Sequence, residues 1–375
     1  MIDDRLARVA LGRLTEPGDP VVARLVAQLG APGLYDALAA EGDARGLRED
    51  VATRLRGLDP AAELERAHRA GIRHLVPGDD EWPIQVDDLS RAELLDERGG
   101  PPLALWVKGP RRLDELTDAV AVVGSRSATT YGAEVAAGIA AGLVRSGHAV
   151  VSGAAFGIDH AAHRGALAVE GSTVAVLACG VDRAYPPAHK ELLDHLGRTA
   201  AVVTEVSPGC SPTRGRFLSR NRLIAALTRG TVVVEAASRS GALNTASWAT
   251  RLNRLLMGVP GPVTHAQSQG VHELIRSGAA TLVTHAAEVL EVVAPAGAHL
   301  AERPRGERRR RDTLSSRHRR VLDAVPLAQP ARVDSIATTA GVGLREVQAA
   351  LTRLLKLGLV EASERGWRLT PASQE

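Results

Sequence analysis

Three strand-to-helix junctions in the middle of this chain carry glycine, serine and arginine where an anion could be held. They are AVAVVGSRSATTYG at 119–132, VVSGAAFGIDHAAHRGAL at 150–167, and RGRFLSRNRLIAAL followed by TVVVEAASRSGALNTA between 214 and 246. In an open α/β sheet such junctions lie beyond the carboxyl ends of the strands, where backbone N–H groups and helix N-termini point at ligands. Glycine lets backbone approach closely, serine adds a hydroxyl donor, and arginine presents a fork matched to phosphate oxygens. Gly124, Ser125 and Arg126 supply all three at the first junction. Ser152 and Gly153 form a second turn, and Ser240, Gly241 and Thr245 surround a third helix start. Residues 206–256 hold eight arginines and a single acid, Glu235, which implies a ligand with several phosphates. Glu235 is placed to pair with an arginine across the crevice.

The segment RGRFLSRNRLIAAL concentrates this basic character in Arg214, Arg216, Arg220 and Arg222, with Asn221 among them and Phe217 as a ring beside them. A basic groove with a ring suits single-stranded nucleic acid, whose bases stack and whose phosphates pair with arginine. The alternative is that Phe217 is core and Arg220 or Arg222 props a neighbouring loop. Aromatic residues make up only 2% of the chain, so stacking cannot carry binding over a wide surface. Asp159, His160 and His163 cluster as metal ligands might, but no third imidazole or thiolate has a supporting spacing. Asp159 is expected to cap the helix beginning there, and no metal is expected. VVGSRSATTYG has one turn glycine and no acid closing the second strand, so dinucleotide binding by the usual geometry is not expected. No serine lies in GxSxG and no cysteine has a nearby histidine. A non-enzymatic protein without a cofactor is the expectation.

The elements that must hold these residues follow from the apolar pattern. AVAVV (119–123), HAVVS (148–152), STVAVLA (172–178), AAVVT (200–204), TVVVE (231–235) and RLLMGV (254–259) are continuous runs separated by alanine-rich helical stretches. Continuous rather than alternating runs indicate parallel strands covered on both faces. The fold class is therefore α/β, an extended Rossmann-like, doubly wound parallel sheet spanning 101–293. Residues 1–95 read as a helical domain of the helix-hairpin-helix or SAM kind, with a break at Gly30–Ala31–Pro32–Gly33. Residues 294–313 read as a basic linker with four consecutive arginines, 308–311. Residues 314–375 read as a winged helix: helix, turn at Gly341–Val342–Gly343, second helix and a two-stranded wing.

Composition fits a globular protein of two or three domains: 375 residues, 45% hydrophobic and 24% charged. No apolar run approaches the roughly 18 residues that cross a bilayer. MIDDRLARVALGRL does not resemble a secretory signal. Cys179 and Cys210 stand in different units without a CxxC pattern. No membrane association and a cytoplasmic location are expected. The net charge is only +3, but residues 1–100 hold 13 basic against 20 acidic residues, whereas residues 301–375 hold 15 against 9. That asymmetry places a polyanion partner at the middle and tail of the chain. Only three of the 46 basic residues are lysine. Codon usage can account for arginine over lysine, but not for the loss of acids from 206–256.

Taken in order, the motifs resemble the DNA-processing protein family DprA, also called Smf. They are VGSRSATTYG at 123–132, SGAAFGID at 152–159, CGVDRAYP at 179–186 and FLSRNR at 217–222. EAASRSGALNTA at 235–246, VPG at 259–261 and GVHELIRSGA at 270–279 follow. The resemblance implies an extended Rossmann domain that binds single-stranded DNA and helps load the recombinase RecA, notably in natural transformation. By the same resemblance Gly124, Ser125 and Arg126 hold backbone phosphates, with Phe217, Arg220 and Arg222 alongside. Leu218, His160 and the segment RLNRLLMGVPG depart from the family pattern. A homodimer through the Rossmann-like domain is also expected, with GVHELIRSGAATLV and HAAEVLEVV as candidate faces or, equally, as monomer core.

Two other classes compete. A nucleotide phosphoribohydrolase has a related fold, but its PGGxGTxxE signature is absent from VVVEAASRSGALNTA. A nucleotide-sensing winged-helix transcription factor would bind duplex DNA of defined sequence.

Overall fold

The computed structural model describes residues 2–40, 57–301 and 310–373, in two compact units, Met1–Ala301 and Glu302–Glu375. The first unit opens with helices α1 (Asp4–Leu14), α2 (Pro20–Ala39) and α3 (Pro60–Arg69). Strands β1 (Ile72–Leu75), β2 (Leu105–Lys108) and β3 (Val120–Val123) follow. Helix and strand then alternate through α4 (Thr130–Arg145), β4 (Val150–Ser152), α5 (Ile158–Leu167), β5 (Thr173–Val176), α6 (Lys190–Thr199) and β6 (Ala201–Thr204). The alternation continues with α7 (Arg214–Ala226), β7 (Gly230–Val233), α8 (Gly241–Arg251), β8 (Leu255–Gly258), α9 (Gln269–Arg276), β9 (Thr281–Leu282) and α10 (Ala286–Val293).

The strands form one nine-stranded sheet in the order β1-β2-β6-β5-β4-β3-β7-β8-β9. All neighbours from β6 to β9 pair in parallel, and each of the six apolar runs supplies one of these strands. Both faces are covered, as continuous apolar strands require. Val120 and Val122 pack with Ile139, Leu143 and Ala162 on one face, while Ala121 and Val123 pack with Leu223, Ala246 and Trp248 on the other. From β3 the chain winds outward through β4, β5 and β6, then returns to β7 on the opposite side of β3. The strand order therefore reverses between β3 and β7, where doubly wound sheets open a ligand crevice.

The expectation of a purely helical 1–95 segment needs correction. β1 lies inside it and pairs antiparallel with β2, Ile72 opposite Lys108, and β2 pairs antiparallel with β6. Four residues carry too short a pattern to separate a strand from a helix end. The break in α2 does fall where glycine permits it, at Gly30 with φ 71°.

The second unit has helices α11 (Ser316–Asp323), α12 (Val333–Ala340) and α13 (Leu344–Lys356), followed by the antiparallel pair β10 (Val360–Ser363) and β11 (Gly366–Leu369). The three helices and the two-stranded sheet pack around Val321, Ile336, Val347 and Leu351, the element order expected of a winged helix. Gly341 closes α12 in the left-handed region. Of the expected basic linker, residues 302–309 lie outside the described residues. Among the described residues no helix is long and apolar enough to cross a membrane.

Candidate functional site

The crevice between β3 and β7 is built by backbone before side chains enter it. A Cβ at Gly124 would stand 2.6 Å from Ile158 Cγ1 and 2.8 Å from the Glu235 carbonyl, so only glycine fits. Ser125 N–H donates to that carbonyl at 2.7 Å, and Ile158 N–H donates to the Ser125 carbonyl at 3.1 Å. These bonds tie the loop after β3 to the start of α5 and the end of β7. Ser125 is buried, and its hydroxyl accepts from Ser127 N–H at 3.2 Å. The next side chain, Arg126, is exposed, with its guanidinium carbon 4.8 Å from the Phe217 ring centroid.

A cleft of about 900 Å³ opens here, lined by Gly124, Ser125, Arg126, Tyr185, Arg214, Phe217, Arg220, Asn221, Arg239, Ser240, Gly241 and Thr245 among others. Arg220 lies beneath Phe217, its guanidinium carbon 5.8 Å from the centroid. Its buried guanidinium donates to the Gly153 carbonyl at 2.7 Å and the Val176 carbonyl at 2.6 Å. A side chain at Gly153 would occupy the guanidinium's place. Burial lowers the Arg220 pKa to about 10, an effect opposed by the Asp159 carboxylate, so the side chain stays cationic at neutral pH. Asp159 is itself buried, and its carboxylate accepts from Gly153 N–H at 3.2 Å and Ala155 N–H at 3.4 Å. Burial raises its pKa, while Arg220 and these N–H groups pull it down. Asp159 thus braces the 153–155 loop; the cap position of α5 belongs to Gly157.

The expected site residues divide into two groups. Arg126, Phe217 and Arg220 converge, joined by Arg214 and Arg239, which are exposed and free of ion pairs among the described residues. Tyr185, whose ring lies 5.6 Å from Phe217, joins them without having been singled out from the sequence. Ser125, Asn221, Ser240 and Thr245 line the same cleft, whereas Arg222, Arg216 and Ser152 point elsewhere. Arg222 is fully buried and forms a two-pronged pair with Glu205, its Nη2 2.7 Å from Glu205 Oε1. It also donates to the Gly100 and Ser219 carbonyls at 3.0 and 3.1 Å. Arg216 donates to both Glu16 oxygens at 2.9 and 2.7 Å. The Ser152 hydroxyl donates to the Val122 carbonyl at 2.7 Å inside the sheet.

Among the described residues Glu235 pairs with no arginine. Its carboxylate accepts from Thr129 N–H at 3.0 Å and Thr129 Oγ1 at 2.5 Å, against the start of α4. A negative charge is favourable at that positive helix end, which explains one acid in a basic stretch. Asn221 bridges Arg220, Gly241 and Asn244, and Ser240 caps α8 through Ala242 N–H at 3.3 Å. His163 is fully buried with Nδ1 2.8 Å from Thr173 Oγ1, whereas His160 stacks on His189 at 4.3 Å. These two imidazoles do not converge. Among the described residues no three potential metal ligands gather.

Four cleft arginines face two lining acids, Asp96 and Asp159, so the walls focus positive potential around the rings of Phe217 and Tyr185. The family model of DNA recombination-mediator protein A matches residues 73–294. A putative DNA processing protein DprA of Mycobacterium tuberculosis is 44% identical over 366 residues, covering 96% of this chain and 93% of that protein. DNA processing protein DprA of Streptococcus pneumoniae is 39% identical over 234 residues, 62% of this chain and 82% of that one. An X-ray structure of the pneumococcal protein matches with a TM-score of 0.64 at 32% identity, covering 79% of this chain and 99% of that one. The structure of DNA processing protein A from Helicobacter pylori, which concerns that protein's single-stranded DNA binding mode, matches with a TM-score of 0.51 at 26% identity, covering 59% of this chain and 94% of that one.

Proposed function

The chain belongs to the DNA recombination-mediator protein A family, and on that premise we propose that it binds single-stranded DNA of any sequence in the arginine cleft and loads RecA onto the strand it holds. One observation carries the binding half: Phe217 has Arg126 at 4.8 Å and Arg220 at 5.8 Å from its ring centroid and lines a cleft about 900 Å³ in volume. Every base has a π-face and every nucleotide a phosphate, so rings flanked by guanidinium groups bind single strands without reading sequence. In a duplex the bases are already stacked on one another and unavailable to Phe217 and Tyr185. Arg126, Arg214 and Arg239 supply the phosphate contacts in this reading. Gly124, Ser125, Gly153, Asn221, Ser240, Gly241 and Thr245 shape the wall behind them, and Arg222, Arg216, Ser152 and Glu235 maintain the frame.

The H. pylori relative, whose structure concerns single-stranded DNA, supports this reading. The role is non-enzymatic mediation in the cytoplasm during recombination, including processing of DNA taken up by transformation. The Rossmann-like domain forms a homodimer, because two linked clefts gain avidity that a few contacts in one cleft cannot. Of the candidate faces, GVHELIRSGAATLV keeps Leu282 exposed, whereas Val289 and Leu290 of α10 are buried. A paired assay tests the whole. Titration with labelled single- and double-stranded DNA is expected to show strong preference for the single strand. Addition of the protein is expected to accelerate RecA assembly on strands coated by a competing protein. Equal affinity for duplex, or unchanged RecA assembly, contradicts the corresponding half.

A further inference from the structure

The cleft uses one of the two phenylalanines in the chain; the other, Phe156, stands outside it with 49% of its surface exposed. It lies on the loop between β4 and α5 and belongs to none of the buried apolar clusters. Nevertheless its ring is braced. The His189 ring packs against it at 4.7 Å and 67°, and His160 stacks in turn on His189 at 4.3 Å and 29°. His189 is itself buried and fixed, its Nδ1 donating to the Ala154 carbonyl at 2.9 Å. An exposed apolar ring held this way has an orientation but, among the described residues, no ring partner other than His189.

Its position relates it to the cleft. Ala155, the preceding residue, lines the cleft, and Gly157, the following one, is pressed against the Ser125 and Arg126 carbonyls. Tyr185, which meets Phe217 in the cleft, precedes His189 by four residues on one continuous loop and turn. Beyond the rings, Arg164 lies one turn along α5 from His160, exposed and without an ion pair among the described residues. Arg164 thus offers a phosphate a guanidinium on the same helix as His160.

We infer that Phe156, braced by His189 and His160, is a second base-stacking platform that takes a nucleotide of the same single strand where it leaves the cleft past Arg126. The inference rests on the single-strand reading and extends its footprint. The occupant is a nucleobase because the platform continues a basic cleft and ends at an arginine; an apolar peptide has no use for either.

The full-length protein is titrated with fluorescent oligothymidylates of increasing length, comparing wild type with Phe156→Ala. The shortest strands, which fill only the cleft, are expected to bind both alike. Longer strands are expected to bind the variant roughly 5- to 100-fold more weakly, the usual worth of one stacked base. The log–log salt slope is expected to stay unchanged, because no phosphate contact is lost. Phe156→Trp restores affinity, whereas Phe156→Leu, which keeps bulk but lacks a π-face, repeats the loss even if the alanine variant melts early. Strands carrying 5-iodouracil are expected to crosslink to the peptide containing Phe156. Equal affinity of wild type and both Phe156→Ala and Phe156→Leu at every length overturns the inference while leaving the cleft reading standing. A wild-type protein that ignores single strands overturns both.

Discussion

Removing Arg222 separates a framework arginine from a ligand-binding one. Its side chain has no exposure, and it meets both oxygens of Glu205, which is 7% exposed in its side chain, along with the Gly100 and Ser219 carbonyls. Arg222→Ala leaves the Glu205 carboxylate buried without its counter-charge and also opens a void. Breaking one partner of such a buried pair typically costs about 3–5 kcal/mol. At about 2–4 °C per kcal/mol for a unit of this size, the melting temperature is expected to fall by roughly 6–20 °C. Circular dichroism melting of the full chain reads this directly. The double variant Arg222→Met with Glu205→Leu is expected to recover most of the loss, since the buried charge goes with its partner. Well below the transition, single-strand affinity and salt slope are expected to match wild type. An Arg222→Ala protein that melts like wild type yet binds DNA with a shallower salt slope would refute this assignment and return Arg222 to the ligand.

Other substitutions probe the neighbouring frame. Gly153→Ala displaces the Arg220 guanidinium from its two carbonyl partners. A loss of about 1–3 kcal/mol is expected from the stranded polar groups, together with weaker DNA binding as Phe217 loses its support; unchanged melting and binding contradict that geometry. Burial holds the His163 pKa down at about 3, below its value of about 6.5 in the unfolded chain, so the fold favours the neutral ring. Stability from this group is intact above about pH 6.5 and declines toward pH 3 by up to roughly 1.4 kcal/mol per unit. His163→Gln is expected to narrow the difference in melting temperature between pH 7 and pH 5, and an unaltered difference counts against it. Deletion of residues 302–375, a compact unit by itself, is expected to leave most single-strand affinity in place, and its complete loss would move the site.

The parallel sheet was legible because its strands are unbroken apolar runs whose residues are almost all buried. The two antiparallel strands on one side of it were not, since IRHL and LWVK add to a sheet that their own short pattern does not announce. Glycine positions were readable at Gly124 and Gly153, where backbone or a guanidinium must come close. Arginine roles were harder. The acid-poor stretch 206–256 begins one residue after Glu205, the partner of Arg222, and Arg216 finds Glu16 two hundred residues away. Pairing across such distances is set by the fold. The same holds for Tyr185 and Phe156, single rings in loops that the fold alone brings beside Phe217 and His189.

The central claim is tested most directly by the salt dependence of single-strand affinity for wild type and Arg126→Ala. In the proposed reading Arg126, Arg214 and Arg239, the exposed arginines of the cleft, each neutralise about one phosphate, which predicts a log–log slope of roughly −2 for wild type. Arg126→Ala is expected to weaken binding to every sequence alike and flatten the slope by about one unit or less, with melting unchanged because the side chain is exposed. A wild-type slope near zero, or an Arg126→Ala variant that binds single strands as tightly and as salt-dependently as wild type, contradicts the account.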